Sequence, residues 1–69
     1  MAAQVAKVIE IFSSSPKGFE DAVEQGLSKA AQTVNNIRGA WVNELKVVTS
    51  AEGKVTEWRV NMKVTFVVD

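Results

Sequence analysis

Histidine and cysteine are both absent from the 69-residue chain, and proline occurs once. Without them no Ser-His-Asp or Cys-His nucleophile system can be assembled, and imidazole acid-base chemistry, redox thiols and ordinary zinc sites are excluded as well. The carboxylates that remain stand in no sequence context that marks one as perturbed, so a binding or storage role is expected rather than an enzyme. Charge of one sign is lacking too. Eight Lys and Arg balance eight Asp and Glu, which argues against a protein that tracks nucleic-acid phosphates. Apolar runs fall far short of the roughly 20 residues that cross a bilayer. The opening MAAQVAKVIEIF has neither a basic leader nor a small-residue cleavage site, so a cytoplasmic protein is expected.

What is present is 46% hydrophobic, enough for one small domain over residues 1–69. In so short a chain apolar burial barely offsets the entropy of ordering. Disulfides and structural zinc are closed to it, which leaves self-association as the source of stability.

Gln4 to Phe12 reads as a strand, with Val5, Ile9 and Ile11 on one parity and Ala6, Val8 and Phe12 on the other, so that both faces are largely apolar. Ser13-Ser14-Ser15 breaks this pattern and could cradle an anion ahead of a helix, although a capping role is sufficient. Ser15 is the expected N-cap and Pro16 the first helical residue. Phe19, Val23, Leu27, Ala30, Val34 and Ile37 then recur at helical steps, which predicts a helix to about Asn35 or Asn36, closed by Gly39 beyond its end. Glu20, Asp21 and Glu24 suit the solvent face of its first turns.

Ala40 to Thr49 returns to a β pattern, and Ser50-Ala51-Glu52-Gly53-Lys54 suits a hairpin loop. The clearest alternation follows, with Trp58, Val60, Met62, Val64, Phe66 and Val68 on one face and Glu57, Arg59, Asn61, Lys63 and Thr65 on the other. The order is β-α-β-β. A helical crossover leaves the first two strands parallel, so the third fits between them as the antiparallel partner of both. The predicted class is α+β, a three-stranded antiparallel sheet in order 1-3-2 packed on one helix, with Trp58, Val60, Met62 and Val64 facing that helix. A helix from Pro16 to Asn36 would reach about 31 Å, against about 46 Å for the last strand, so the long hairpin must curl around the helix or meet other subunits.

This order, with the helix start Ser14-Ser15-Pro16-Lys17-Gly18-Phe19-Glu20-Asp21-Ala22-Val23, resembles the dodecin family. The resemblance continues through Lys29-Ala30-Ala31-Gln32-Thr33-Val34-Asn35-Asn36-Ile37, Gly53-Lys54-Val55 and Val60-Asn61-Met62-Lys63-Val64-Thr65-Phe66, and so covers nearly the whole chain. It implies a homo-oligomer, a hollow dodecameric shell, that holds flavins (FMN, riboflavin or FAD) as aromatic-stacked pairs for storage.

The same resemblance locates the candidate cofactor-binding residues Gly39, Trp41 and Arg59, and all three depart from the family's pattern. Gly39 stands where flavin-binding members carry a stacking Trp. Trp41 stands where they carry an acidic residue, and Arg59 where a Gln reads the ring edge. Weakened or absent flavin binding is therefore expected, with a flavin-free calcium- or anion-binding shell, or a purely structural assembly, as the alternatives. Trp41 lies two residues along the strand from Gly39, roughly 6.6 Å away on the same face, and could serve as a shifted platform or as an anchor between subunits. A guanidinium only donates, so Arg59 either binds an anion or pairs with Glu57, Glu44 or a neighbouring subunit's carboxylate. Trp58 is expected in the core. Some relatives of this kind are associated with calcium instead of flavin. A calcium site would need Asn35 and Asn36 supplemented by Glu44, Glu52 or Asp69 from symmetry mates, and no dedicated metal ligands are assigned.

Overall fold

The computed structural model describes residues 4–68. The chain forms β1 (Val5–Ser15), α1 (Phe19–Ala30), β2 (Ile37–Thr49) and β3 (Val55–Val68). The sheet order is β1-β3-β2 and both pairings are antiparallel, as the crossover and hairpin together require. The helix packs on β1 and β3. Ala22, Val60, Met62 and Val64 form the buried core, with Ile9, Ile11, Phe19, Val23, Leu27 and Ile37 packed around it. β3 thus contributes its alternating apolar face as expected, except that Trp58 is only half buried.

Both helix ends differ from the expectation. At the start, β1 continues through all three serines, so Ser15 ends a strand and is not the N-cap. The cap position belongs to Gly18, whose φ of 155° favours glycine, with no side-chain cap bond. Ser15 still organises the entry. Its buried hydroxyl accepts the Lys17 N–H at 3.0 Å and donates to the Asp21 carboxylate at 2.5 Å. At the other end, the N–H groups of Gln32 and Thr33 bond back to the carbonyls of Lys29 and Ala30, three residues earlier, which tightens the last turn. Asn36, not Gly39, takes the left-handed conformation (φ 64°), and its carbonyl accepts the Val67 N–H at 3.0 Å. The chain has therefore already joined the sheet. Ile37 and Gly39 are residues of β2, which begins three residues earlier than expected.

At 12 residues the helix is about 18 Å long, shorter than the sequence reading allowed. The molecule measures 57 × 20 × 14 Å, so the hairpin runs on past the helix. Its helix-side face is left open, with Val42, Leu45 and Val47 exposed on β2. The chain alone exposes 5135 Å², against about 4,200 Å² for a compact monomer of this mass.

Where the helix does cover the sheet, contact is close. A Cβ at Gly26 would lie 2.8 Å from the Ser13 Cβ and 2.9 Å from the Met62 Cε, so glycine here lets the helix backbone approach the sheet. The Ser13 hydroxyl donates to the Ala22 carbonyl at 2.7 Å across the same contact.

Candidate functional site

The period-two alternation of the strands puts a second set of side chains on the face away from α1. Register arranges them in rows across β1, β3 and β2: Val8, Thr65 and Gly39; Glu10, Lys63 and Trp41; Phe12, Asn61 and Glu44; Ser14, Arg59 and Lys46. All three residues singled out from the sequence lie on this face. Gly39 and Trp41 are neighbours. Arg59 lies four residues beyond Lys63, the partner of Trp41, a displacement of about 13 Å along β3, so one chain does not bring Trp41 and Arg59 into a single contact.

At Gly39 the space is open. An added Cβ would meet only the Thr65 Oγ1, at 3.8 Å, while that hydroxyl donates to the Gly39 carbonyl at 3.1 Å. Position 39 could therefore take a Cβ without strain and carries none. Trp41 is 64% exposed. Arg59 takes the partner that the sequence offered nearest to it: its Nε donates to the Glu57 Oε1 at 3.1 Å and its Nη2 to Oε2 at 3.5 Å. The hydrogen bond from Arg59, aided by one from Ser14, holds the Glu57 carboxyl below the usual carboxylate range. Both groups are solvated, so the pair orients Arg59 and adds little stability.

Asn61 departs from the expectation of an open polar face, being only 6% exposed. Register shifts between Val42 and Glu44, a β-bulge that places Asn43 to donate its amide N–H to the Asn61 Oδ1 at 3.1 Å. The Asn61 Nδ2 in turn donates to the Ile11 carbonyl at 3.4 Å. These bonds remove the cost of burying the amide. Asn61 forms part of the lining of a groove of about 480 Å³, together with Phe12, Ser14, Glu44, Lys46, Glu57 and Arg59. Phe12 was not among the expected site residues, because a first strand apolar on both parities does not say which of them the helix leaves open.

Among the described residues no group of three or more Asp or Glu lies close enough to hold a metal ion. Asn36 sits beside the end of β3, while Glu52 is in the hairpin loop at its start. One chain therefore does not gather the calcium ligands considered above, and Asp69 lies outside the described residues.

A family model described as Dodecin matches residues 5–69. The chain belongs to the dodecin family. The calcium dodecin of Mycobacterium tuberculosis is 36% identical over 62 residues, spanning 90% of this chain and 86% of that protein. Among solved structures, the dodecin from Streptomyces davaonensis superposes with a TM-score of 0.92 at 31% identity, covering 99% of this chain and 98% of that one. The structure of the Mycobacterium tuberculosis calcium dodecin, described as calcium-chelating with a novel calcium-binding site, gives 0.78 at 34% identity over 90% of this chain and 87% of that one. The β-α-β-β topology and the 1-3-2 strand order of this dodecin are thus those of its family. No helix among its described residues is long and apolar enough to cross a membrane.

Proposed function

We propose that this dodecin is a non-enzymatic binding and storage protein that assembles into a hollow dodecameric shell. Its ligand face is the sheet surface bearing Gly39, Trp41 and Arg59, and its flavin affinity is reduced. The observation that carries this reading is apolar exposure on both faces of one sheet. Val8 and Trp41 are open on one side and Val42, Leu45 and Val47 on the other. A short helix and two free strand edges cannot cover them, so other copies of the chain must. Reduced flavin affinity follows from the bare position 39 and from an Arg59 that cannot accept from a ring N–H and is already engaged by Glu57. Trp41 then serves as a shifted platform or as an anchor between copies.

A second reading is a flavin-free shell that binds calcium, favoured by the relationship to a calcium dodecin. Amide oxygens of Asn35 and Asn36 would be completed by carboxylates of neighbouring copies, Glu44, Glu52 or Asp69. Titrating the protein into riboflavin while following flavin fluorescence, with a parallel calorimetric titration of calcium, separates the two. The first reading predicts quenching at micromolar protein or above and no calcium heat. Quenching at nanomolar protein would overturn the reduced-affinity claim, and calcium heat without any quenching would select the second reading.

A further inference from the structure

Phe12 is the side chain that the account above leaves without a role. At 79% exposed it is the most open large apolar residue among those described, yet it lies well inside β1 and not at a frayed end. Register puts Phe12 opposite Asn61 and Ser14 opposite Arg59, while Glu44 and Lys46 face the same two β3 residues from the far side. All six border the groove of about 480 Å³, within the roughly 300–1,000 Å³ typical of small-ligand sites.

The groove has a fixed floor and a donating wall. Asn61 is the floor, buried, with both ends of its amide committed to Asn43 and Ile11. Arg59 is the wall. Glu57 occupies its Nε and Nη2, and Nη1 lies outside that pair, leaving an edge that can only donate. Lys46 adds a second cation. With Glu44 and Glu57 the groove is neutral as a whole, so a ligand's charge is read by contact and not by a long-range field. Phe12 and Arg59 are diagonal neighbours on adjacent strands, at positions roughly 7–8 Å apart, within reach of an aromatic and a long side chain that share one small ligand.

We propose that this groove binds a planar aromatic carboxylate, its ring stacked on Phe12 and its carboxylate on the free edge of Arg59. The proposal rests on the reading of this sheet face as the ligand face, and it places the working aromatic platform at Phe12. The Phe12 ring supplies stacking that position 39 lacks, and the exchange of an amide for a guanidinium at position 59 becomes a change of ligand class, from a ring edge with an N–H to one with acceptors alone.

The test uses the intact assembled protein and two probes of equal shape, 2-naphthoate and 2-naphthamide, titrated by calorimetry, with riboflavin quenching measured alongside. The expected result is naphthoate binding about tenfold tighter than the amide, with the preference abolished in Arg59→Gln. Phe12→Leu should lose about tenfold for naphthoate while Phe12→Tyr retains it. Equal binding of acid and amide, or naphthoate affinity indifferent to Phe12, would overturn the proposal. So would a smaller assembled mass for Phe12→Leu, because a neighbouring copy would then be the occupant. Riboflavin binding without naphthoate binding by the unmodified protein leaves the ligand-face reading standing, whereas binding of neither removes that reading as well.

Discussion

Replacing Met62 by alanine is expected to destabilise the folded chain by about 2–5 kcal/mol, the range for deleting a large buried apolar side chain whose cavity does not collapse. Met62 is fully buried, stands opposite Ile11 on β1 and Val42 on β2, and meets the backbone of α1 at Gly26. Two paired strands and a closely docked helix surround it, and none can move inward without breaking ladder bonds or the Ser13 to Ala22 hydrogen bond. Because folding and assembly are coupled, the measurement is urea unfolding at fixed protein concentration, compared with the unmodified protein at that same concentration. A loss below about 1 kcal/mol would show that the cavity refills and that Met62 is not the central packing element.

The double substitution Gly39→Trp plus Arg59→Gln is expected to raise flavin affinity by about 30- to 150-fold, corresponding to about 2–3 kcal/mol regained from stacking and from an amide that both donates and accepts. The backbone at position 39 admits a side chain. Position 39 has ordinary backbone conformation and only the Thr65 hydroxyl, at 3.8 Å, in the way of a new Cβ. Removing Arg59 releases Glu57 from a solvated pair of small energetic weight. Riboflavin fluorescence quenching by the two proteins gives the ratio directly. Quenching by neither would mean that the pocket itself differs and that flavin storage does not carry over to this chain.

β3 was legible in the sequence because its alternation is enforced by burial, Val60, Met62 and Val64 on the helix side being the core itself. The strand order followed from connection rules applied to β-α-β-β. Helix length was not legible. Val34 and Ile37 continue the helical spacing by coincidence, while Thr33, Asn35 and Asn36 are poor helix formers, and a left-handed Asn36 turns the chain into β2 before the spacing runs out. Ser15 and Pro16 imitate a cap and a first turn, and only the pairing of Ser13, Ser14 and Ser15 with β3 shows that they belong to the sheet. At the candidate site, Gly39, Trp41 and Arg59 could be placed on one face by parity alone. The link from Arg59 to Glu57 was among the foreseen partners. The burial of Asn61 was hidden because it depends on a bulge at Asn43 that no local pattern announces, and Phe12 was hidden because a strand apolar on both faces does not say which face the helix leaves open.

The most direct measurement of the central claim is the mass of the native protein at micromolar concentration, by native mass spectrometry or light scattering. Surface of 5135 Å² on a 7.5 kDa chain, two free strand edges and apolar side chains on both sheet faces predict an assembly with no folded single chain beside it, and the proposed dodecin-type shell sets its size at twelve copies, about 90 kDa. A folded species near 7.5 kDa at that concentration would contradict the account, because the exposed Val42, Leu45, Val47 and Trp41 would then be stable in water without a partner.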